Sequence, residues 1–132
     1  MHMKRVVLVC VFWIVGVHAQ ANQVAEYSLV EKVRRSDAAL VGRVLALSKV
    51  EASGVEIDYA LIRVVVDLKD AGFSGDIKVV YREGVYELEP DCCAVDKSYL
   101  MFLRKGEDGF FYSVNGAYGI YKITDDDCIG VN

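Results

Sequence analysis

Residues 38–68 read AALVGRVLALSKVEASGVEIDYALIRVVVDL, and this stretch decides the fold. It is rich in β-branched and aliphatic residues, which favour strands. Ser53-Gly54 divides it as a turn, so it predicts two long strands joined by a hairpin. In the second strand Val55, Ile57, Tyr59 and Leu61 fall on one face, while Ile62, Val64, Val66 and Leu68 fall on the other. The apolar phase therefore slips by one residue near Ala60-Leu61. A β-bulge there would produce the slip, as in long strands that bend from one side of a barrel to the other. Gly42, inside the first strand, suits the same tight coiling.

Further strands follow at short spacing. After a turn over Asp70–Gly75 come a short strand, Ile77 to Tyr81, and an irregular acidic segment, REGVYELEPDCCAVDK, with the only proline, Pro90. Ser98 to Arg104 reads as a nearly apolar strand, KGEDG as a hairpin turn and FFYSV as a strand. Asn115-Gly116 is a strong turn signal before the last strand, AYGIYKI. On the N-terminal side, Asn22 can cap a helix over about 23–35, with Val24, Tyr27, Val30 and Val33 along one face and Arg34 and Arg35 at a solvated C-terminal end. One helix and several turn-punctuated strands predict a mainly β chain closed, or nearly closed, into a small barrel. The expected organisation is a single domain over residues 22–132, with the barrel over about 38–124 and an acidic tail at 125–132.

The N-terminus sets the compartment. Lys4 and Arg5 precede an apolar run from Val6 to Val17, and both Ala19-Gln20-Ala21 and Val17-His18-Ala19 fit a small-x-small cleavage site, after Ala21 or after Ala19. The expectation is a secretory signal peptide over residues 1–21 and a secreted or periplasmic mature chain. The run is shorter than the roughly 20 apolar residues of a membrane span, so no integral membrane form is expected after cleavage.

Removing residues 1–21 would remove both histidines, His2 and His18, and the only tryptophan, Trp13. Without imidazole there is no Ser-His-Asp or Cys-His pair, no HExxH helix and no histidine zinc site. Gly72-Phe73-Ser74-Gly75 and Gly106-Glu107-Asp108-Gly109 read as hairpin turns and not as phosphate cradles. The net charge of −4, more negative once Lys4 and Arg5 leave, argues against nucleic acid as a partner. The expectation is a chain that is not an enzyme; a carboxylate-based hydrolase is the weakest of the readings kept.

Several of these residues carry a resemblance. Ser36-Asp37 before a strand with Gly42-Arg43-Val44, a cysteine before Tyr99-Leu100-Met101-Phe102-Leu103, a Gly-rich hairpin and a closing Gly-x-hydrophobic strand resemble small secreted bacterial proteins with an OB-fold. Their barrel is like that of the tissue inhibitors of metalloproteinases and the netrin modules. The resemblance spans Ser36 to Ile123 and implies a small closed or partly open OB-type β-barrel. It departs at one point. The animal inhibitors begin with a cysteine that chelates the target's zinc, whereas here no cysteine follows the cleavage site until Cys92. Inhibition of a protease by this chain would act through its loops.

Export is oxidising, so Cys92, Cys93 and Cys128 are read as disulfide material. Neighbouring Cα atoms across a trans peptide lie about 3.8 Å apart, whereas a disulfide favours about 4.4–6.8 Å. The expectation is therefore a bridge from Cys92 or Cys93 to Cys128, contributing roughly 3.8 kcal/mol in the chain-entropy description. It would bring Glu87, Glu89 and Asp91 towards Asp125, Asp126 and Asp127. The six carboxylates then form a candidate patch for weak calcium or for a basic protein surface, or else they are solvated loop acids pointing apart. Among the aromatics, Phe111 and Tyr121 are the expected outer-face residues.

These readings converge on an exported, non-catalytic protein-binding module, acting through its loops on a secreted or envelope protease. The alternative is a cell-envelope structural or adhesion domain with a weak calcium site.

Overall fold

The computed structural model describes residues 25–84 and 89–124. The elements are helix α1 (Leu29–Arg35) and strands β1 (Ala38–Ala52), β2 (Val55–Asp67), β3 (Asp76–Arg82), β4 (Ser98–Lys105), β5 (Phe111–Ser113) and β6 (Ile120–Lys122). The strands pair in the order β1-β2-β3-β5-β4, and β4 pairs back with β1, which closes a barrel. All pairings are antiparallel except β3 with β5, which is parallel. β6 continues along β4 beyond β5. This is the OB-type barrel with one short α-helix expected from the sequence.

The barrel core is built from Leu40, Val44, Ile62, Val79, Met101 and Leu103, all fully buried, with Phe111 and Tyr81 beside them. A smaller cluster of Ala39, Phe102 and Val114 packs on the outer face of β4. β1 does most to close the fold, because Ala38–Arg43 pairs with β4 on one edge while the whole strand pairs with β2 on the other.

The bulge expected near Ala60-Leu61 is not on β2 itself. Asp58, Ala60 and Ile62 are buried in unbroken alternation along β2. The apolar phase appeared to slip because the inward face of the first half carries an acid. Asp58 sits between Lys49 Nζ at 3.7 Å and Arg82 at 3.8 Å. One register shift does lie beside Leu61, but its extra residue, Leu45, is on β1, between the pairs Val44↔Ile62 and Ala46↔Leu61; the others are at Val41/Gly42 in the same ladder and at Asp58/Tyr59 in the β2–β3 ladder.

The helix is shorter than expected. It starts at Leu29, where Ser28 Oγ accepts the Glu31 N–H at 3.2 Å, half of a Ser-x-x-Glu capping box. Asn22 lies outside the described residues, and Ala25 to Ser28 are not helical. The valine stripe does not face the barrel. Val30 is 76% exposed and Lys32 is 4% exposed, so the lysine stem covers the barrel wall. Its ammonium donates to Glu26 Oε1 at 2.9 Å and to Tyr121 Oη. At the other end of the helix, Lys69 Nζ donates to the Val33 carbonyl at 2.8 Å and to that of Ser36.

The last expected strand is broken. Phe102 accepts from Val114 N–H and donates to Gly119 C=O, both at 2.8 Å, so the chain leaves β4 after Val114 and returns at Gly119. A single 3₁₀ turn, Gly116–Tyr118, fills the excursion. No helix among the described residues is long and apolar enough to cross a membrane.

Candidate binding groove

A groove of 390 Å³ opens where β3, β4 and β5 meet. β3 supplies Val80 and Tyr81. The register shift opposite Asp58/Tyr59 places both of these consecutive residues towards the protein. Glu83 follows the strand. Glu89 and Pro90 reach the groove from the segment before the cysteines, Arg104 from β4, and Ser113, Asn115 and Gly116 from the end of β5. A second hollow of 410 Å³, lined by Glu83, Arg104, Glu107, Asp108 and Tyr112, shares Glu83 and Arg104 with the first.

Strand register explains this gathering. Val80 pairs with Tyr112 in the parallel ladder, and Arg104 pairs with Tyr112 in the antiparallel one. The guanidinium of Arg104 lies 5.0 Å from the centre of the Tyr112 ring, a cation–π contact. The Tyr112 hydroxyl donates to Asp108 Oδ2, and Phe110 N–H donates to Oδ1 at 3.0 Å. Burial, and then the bond to Asp108, push the Tyr112 phenol up to about 12. The same bond, followed by the one from Phe110 N–H, lowers the Asp108 carboxyl below its ordinary value.

Asn115 fixes one rim. Its φ of 65° is left-handed, as suits an Asn before Gly in a tight turn. Its Oδ1 accepts from Tyr27 N–H at 2.7 Å and its Nδ2 donates to Ala25 C=O at 2.8 Å. The segment leading into α1 is thereby tied to the groove. Ser113 Oγ donates to Gly116 C=O at 2.6 Å.

Of the six expected patch carboxylates, two are described. Glu89 is on the groove with its side chain 16% exposed and lies 3.9 Å from Arg82 Nε, while Asp91 is exposed. Glu87, Asp125, Asp126 and Asp127 lie outside the described residues. Among the described residues no three His, Cys, Asp or Glu side chains converge as a metal-holding group.

Cys92 and Cys93 are half-buried and pack against the barrel core. The sequence expectation set a bond between these neighbours aside on trans-peptide geometry. In the structure the peptide between them is cis, their Cα atoms are 3.1 Å apart, and their sulfurs are joined to each other. Cys128, the expected partner, lies outside the described residues.

The outer-face aromatics are also corrected. Phe111 is 4% exposed and packs edge-on to Phe73 at 5.1 Å inside the barrel. Tyr121 does lie on the outside, against Phe102 at 6.4 Å. The pair that sequence reading missed is Tyr59 and Phe110, edge-to-face at 5.2 Å, with the Lys78 ammonium 5.6 and 5.8 Å from the two rings.

Comparison of the chain with protein-family models, with curated proteins and with solved structures finds no significant match in any of the three.

Proposed function

We propose that this chain is an exported, non-catalytic protein-binding module whose groove receives an extended basic segment of a partner protein. The observation that carries the reading is the composition of the two joined hollows. Glu83, Glu89, Glu107 and Asp108 line them with Arg104, above a floor of Val80, Tyr81 and Pro90, with Arg82 beside Glu89 and the Tyr112 hydroxyl on Asp108. Arg104 is held against the Tyr112 ring, which leaves Glu83 and Glu107 along the walls to meet incoming lysines and arginines, with Glu89 shared with Arg82. An apolar floor rewards an extended peptide by burial, while the acidic walls select its charge and speed its arrival.

Export rests on the N-terminal sequence, where a basic pair, an apolar run and a small-x-small site occur in order. A secreted or envelope protease is the partner class that the resemblance to OB-type inhibitors brings. The groove would then engage a basic surface of that protease through the barrel's loops, with no metal chelation.

The test is affinity capture from the periplasmic or secreted fraction by wild-type protein and by the double variant E83K/E89K. The reading expects one stoichiometric protein, released by salt, whose affinity drops at least about tenfold on charge reversal, equivalent to about 1.4 kcal/mol. Equal capture by both forms overturns it. Recovery of peptidoglycan or outer-membrane components in place of a protein supports the envelope domain instead.

A further inference from the structure

The β1–β2 hairpin extends past the barrel. β4 pairs with β1 only as far as Arg43, and Val44 then closes on the loop before β4 through Val44 N–H to Lys97 C=O and Asp96 N–H to Val44 C=O. Beyond Val44, no strand among the described residues pairs with that edge of β1. On the other side β3 pairs with β2 only from Asp58 to Arg63. Residues 46–57 therefore form a two-stranded arm with open edges, a form that is marginal in water by itself.

The turn at the tip fixes which backbone groups face outward. Ser53 and Gly54 have φ of 52° and 76°, the two-residue hairpin loop with both residues left-handed. In such a hairpin the flanking pair, Ala52 with Val55, is hydrogen-bonded, and the ladder alternates from there. Val50, Ser48 and Ala46 thus turn their N–H and C=O groups to β2. Glu51, Lys49 and Leu47 turn theirs to the open edge. The side chains alternate as well, with Val50, Val55 and Ile57 on one face and Lys49, Glu51 and Glu56 on the other. Val50 is 37% exposed and Val55 47% exposed, while Glu51 has no ion pair among the described residues.

We propose that a second copy of this chain adds to the open edge of β1 as an antiparallel strand, with the twofold axis at Val50. Lys49 of each copy then lies opposite Glu51 of the other as a hydrogen-bonded pair, with opposite charges in register. Val50 meets its own counterpart at the non-hydrogen-bonded position, where side chains approach most closely. Shifting the axis by one residue either way puts Lys49 against Lys49 or Glu51 against Glu51, which is repulsive. The charge order on this edge therefore favours the register centred on Val50, the one that sets Lys49 against Glu51, and the contact is isologous, as a closed dimer requires. The patch is short, so the expected affinity is on the order of micromolar. This contact uses the backbone edge of β1 and does not depend on the groove's function.

The test is sedimentation velocity on the exported chain over a wide concentration range, with circular dichroism to check folding. Wild type is expected to pass from monomer to dimer. E51K leaves the Lys49 bonds to Glu56 and Asp58 in place and is expected to weaken self-association at least tenfold, as is K49E. An equimolar mixture of the two single variants is expected to form a heterodimer, because each supplies the charge the other lacks. E51P removes an outward N–H without touching the β2 ladder and is expected to be monomeric. A wild-type monomer at every concentration overturns the proposal, as do E51K and E51P chains that associate like wild type, or larger open-ended assemblies.

Discussion

Gly42 sits where β1 pairs with both neighbours at once, opposite Tyr99 of β4 and Val64 of β2. A Cβ built there would fall well inside van der Waals contact of Ile62 Cγ2, 3.3 Å from Leu40 Cδ1 and 3.6 Å from the Arg63 carbonyl oxygen. Ile62 cannot swing that methyl away freely, since a β-branched side chain is stiff at χ1 and this one is fully buried. Gly42→Ala is therefore an overpacking substitution and should cost about 1–3 kcal/mol. Ile62→Ala removes the offending methyl at its own cost of about 2–5 kcal/mol. In the double variant the alanine at 42 enters space already vacated, so its penalty should largely vanish, giving a coupling close to the single-variant cost. Urea unfolding followed by circular dichroism measures all four corners of the cycle. If Gly42→Ala is neutral in the wild-type background, or costs as much with Ile62→Ala as without it, the close approach of β1 and β2 at this point is wrong.

Other outcomes follow from side chains that tie the outer parts to the barrel. For Lys32, burial acts against the ammonium, but bonds to Tyr121 and Glu26 outweigh it and raise its pKa. Lys32→Ala should destabilise by about 1–2 kcal/mol in urea unfolding, through lost stem packing as well as lost bonds. Asn115→Ala removes two bonds to backbone groups of Ala25 and Tyr27 and should cost about 1 kcal/mol, with faster hydrogen exchange at the Tyr27 amide. Tyr112 titrates at about 12 in the folded chain, above its ordinary value of 10.0, so its contribution is complete below pH 10 and is lost as pH rises towards 12. The lowered Asp108 carboxyl acts in the opposite direction, contributing above its ordinary value of 3.8 and losing that contribution as pH falls through the folded pKa. Ultraviolet titration should show a late-ionising tyrosine that Tyr112→Phe removes; an unchanged late phase would contradict the burial and bonding assigned to Tyr112.

The strands were legible in the sequence wherever local pattern and turn chemistry agreed. Ser53-Gly54 and the Gly106–Gly109 turn mark hairpins that the structure keeps, and Ser98 to Leu103 announces β4 by its apolar run. Misreadings came where tertiary context overrode the pattern. Asp58 occupies the inward face because Lys49 and Arg82 flank it, so apolar phase alone mistook alternation for a slip. Asn115-Gly116 does turn the chain, but inside an excursion held at both ends by Phe102, which no local signal shows. Ser28-x-x-Glu31 was readable as a helix start and would have placed α1 correctly. The groove was the least legible part. Glu83, Arg104 and Tyr112 meet only because β3 pairs in parallel with β5, a contact between strands that are distant in sequence. Of the expected carboxylate patch, Glu89 alone reaches the groove among the described residues.

The most direct test of the account is a photo-crosslinking residue placed at Glu83 of the full chain and activated in its native compartment. The account predicts an adduct to one protein, mapping to a lysine- or arginine-rich segment of it and lost when Glu89 is changed to Lys. An absence of protein adducts at that position, or recovery of the unprocessed chain from the cytosol, would contradict it.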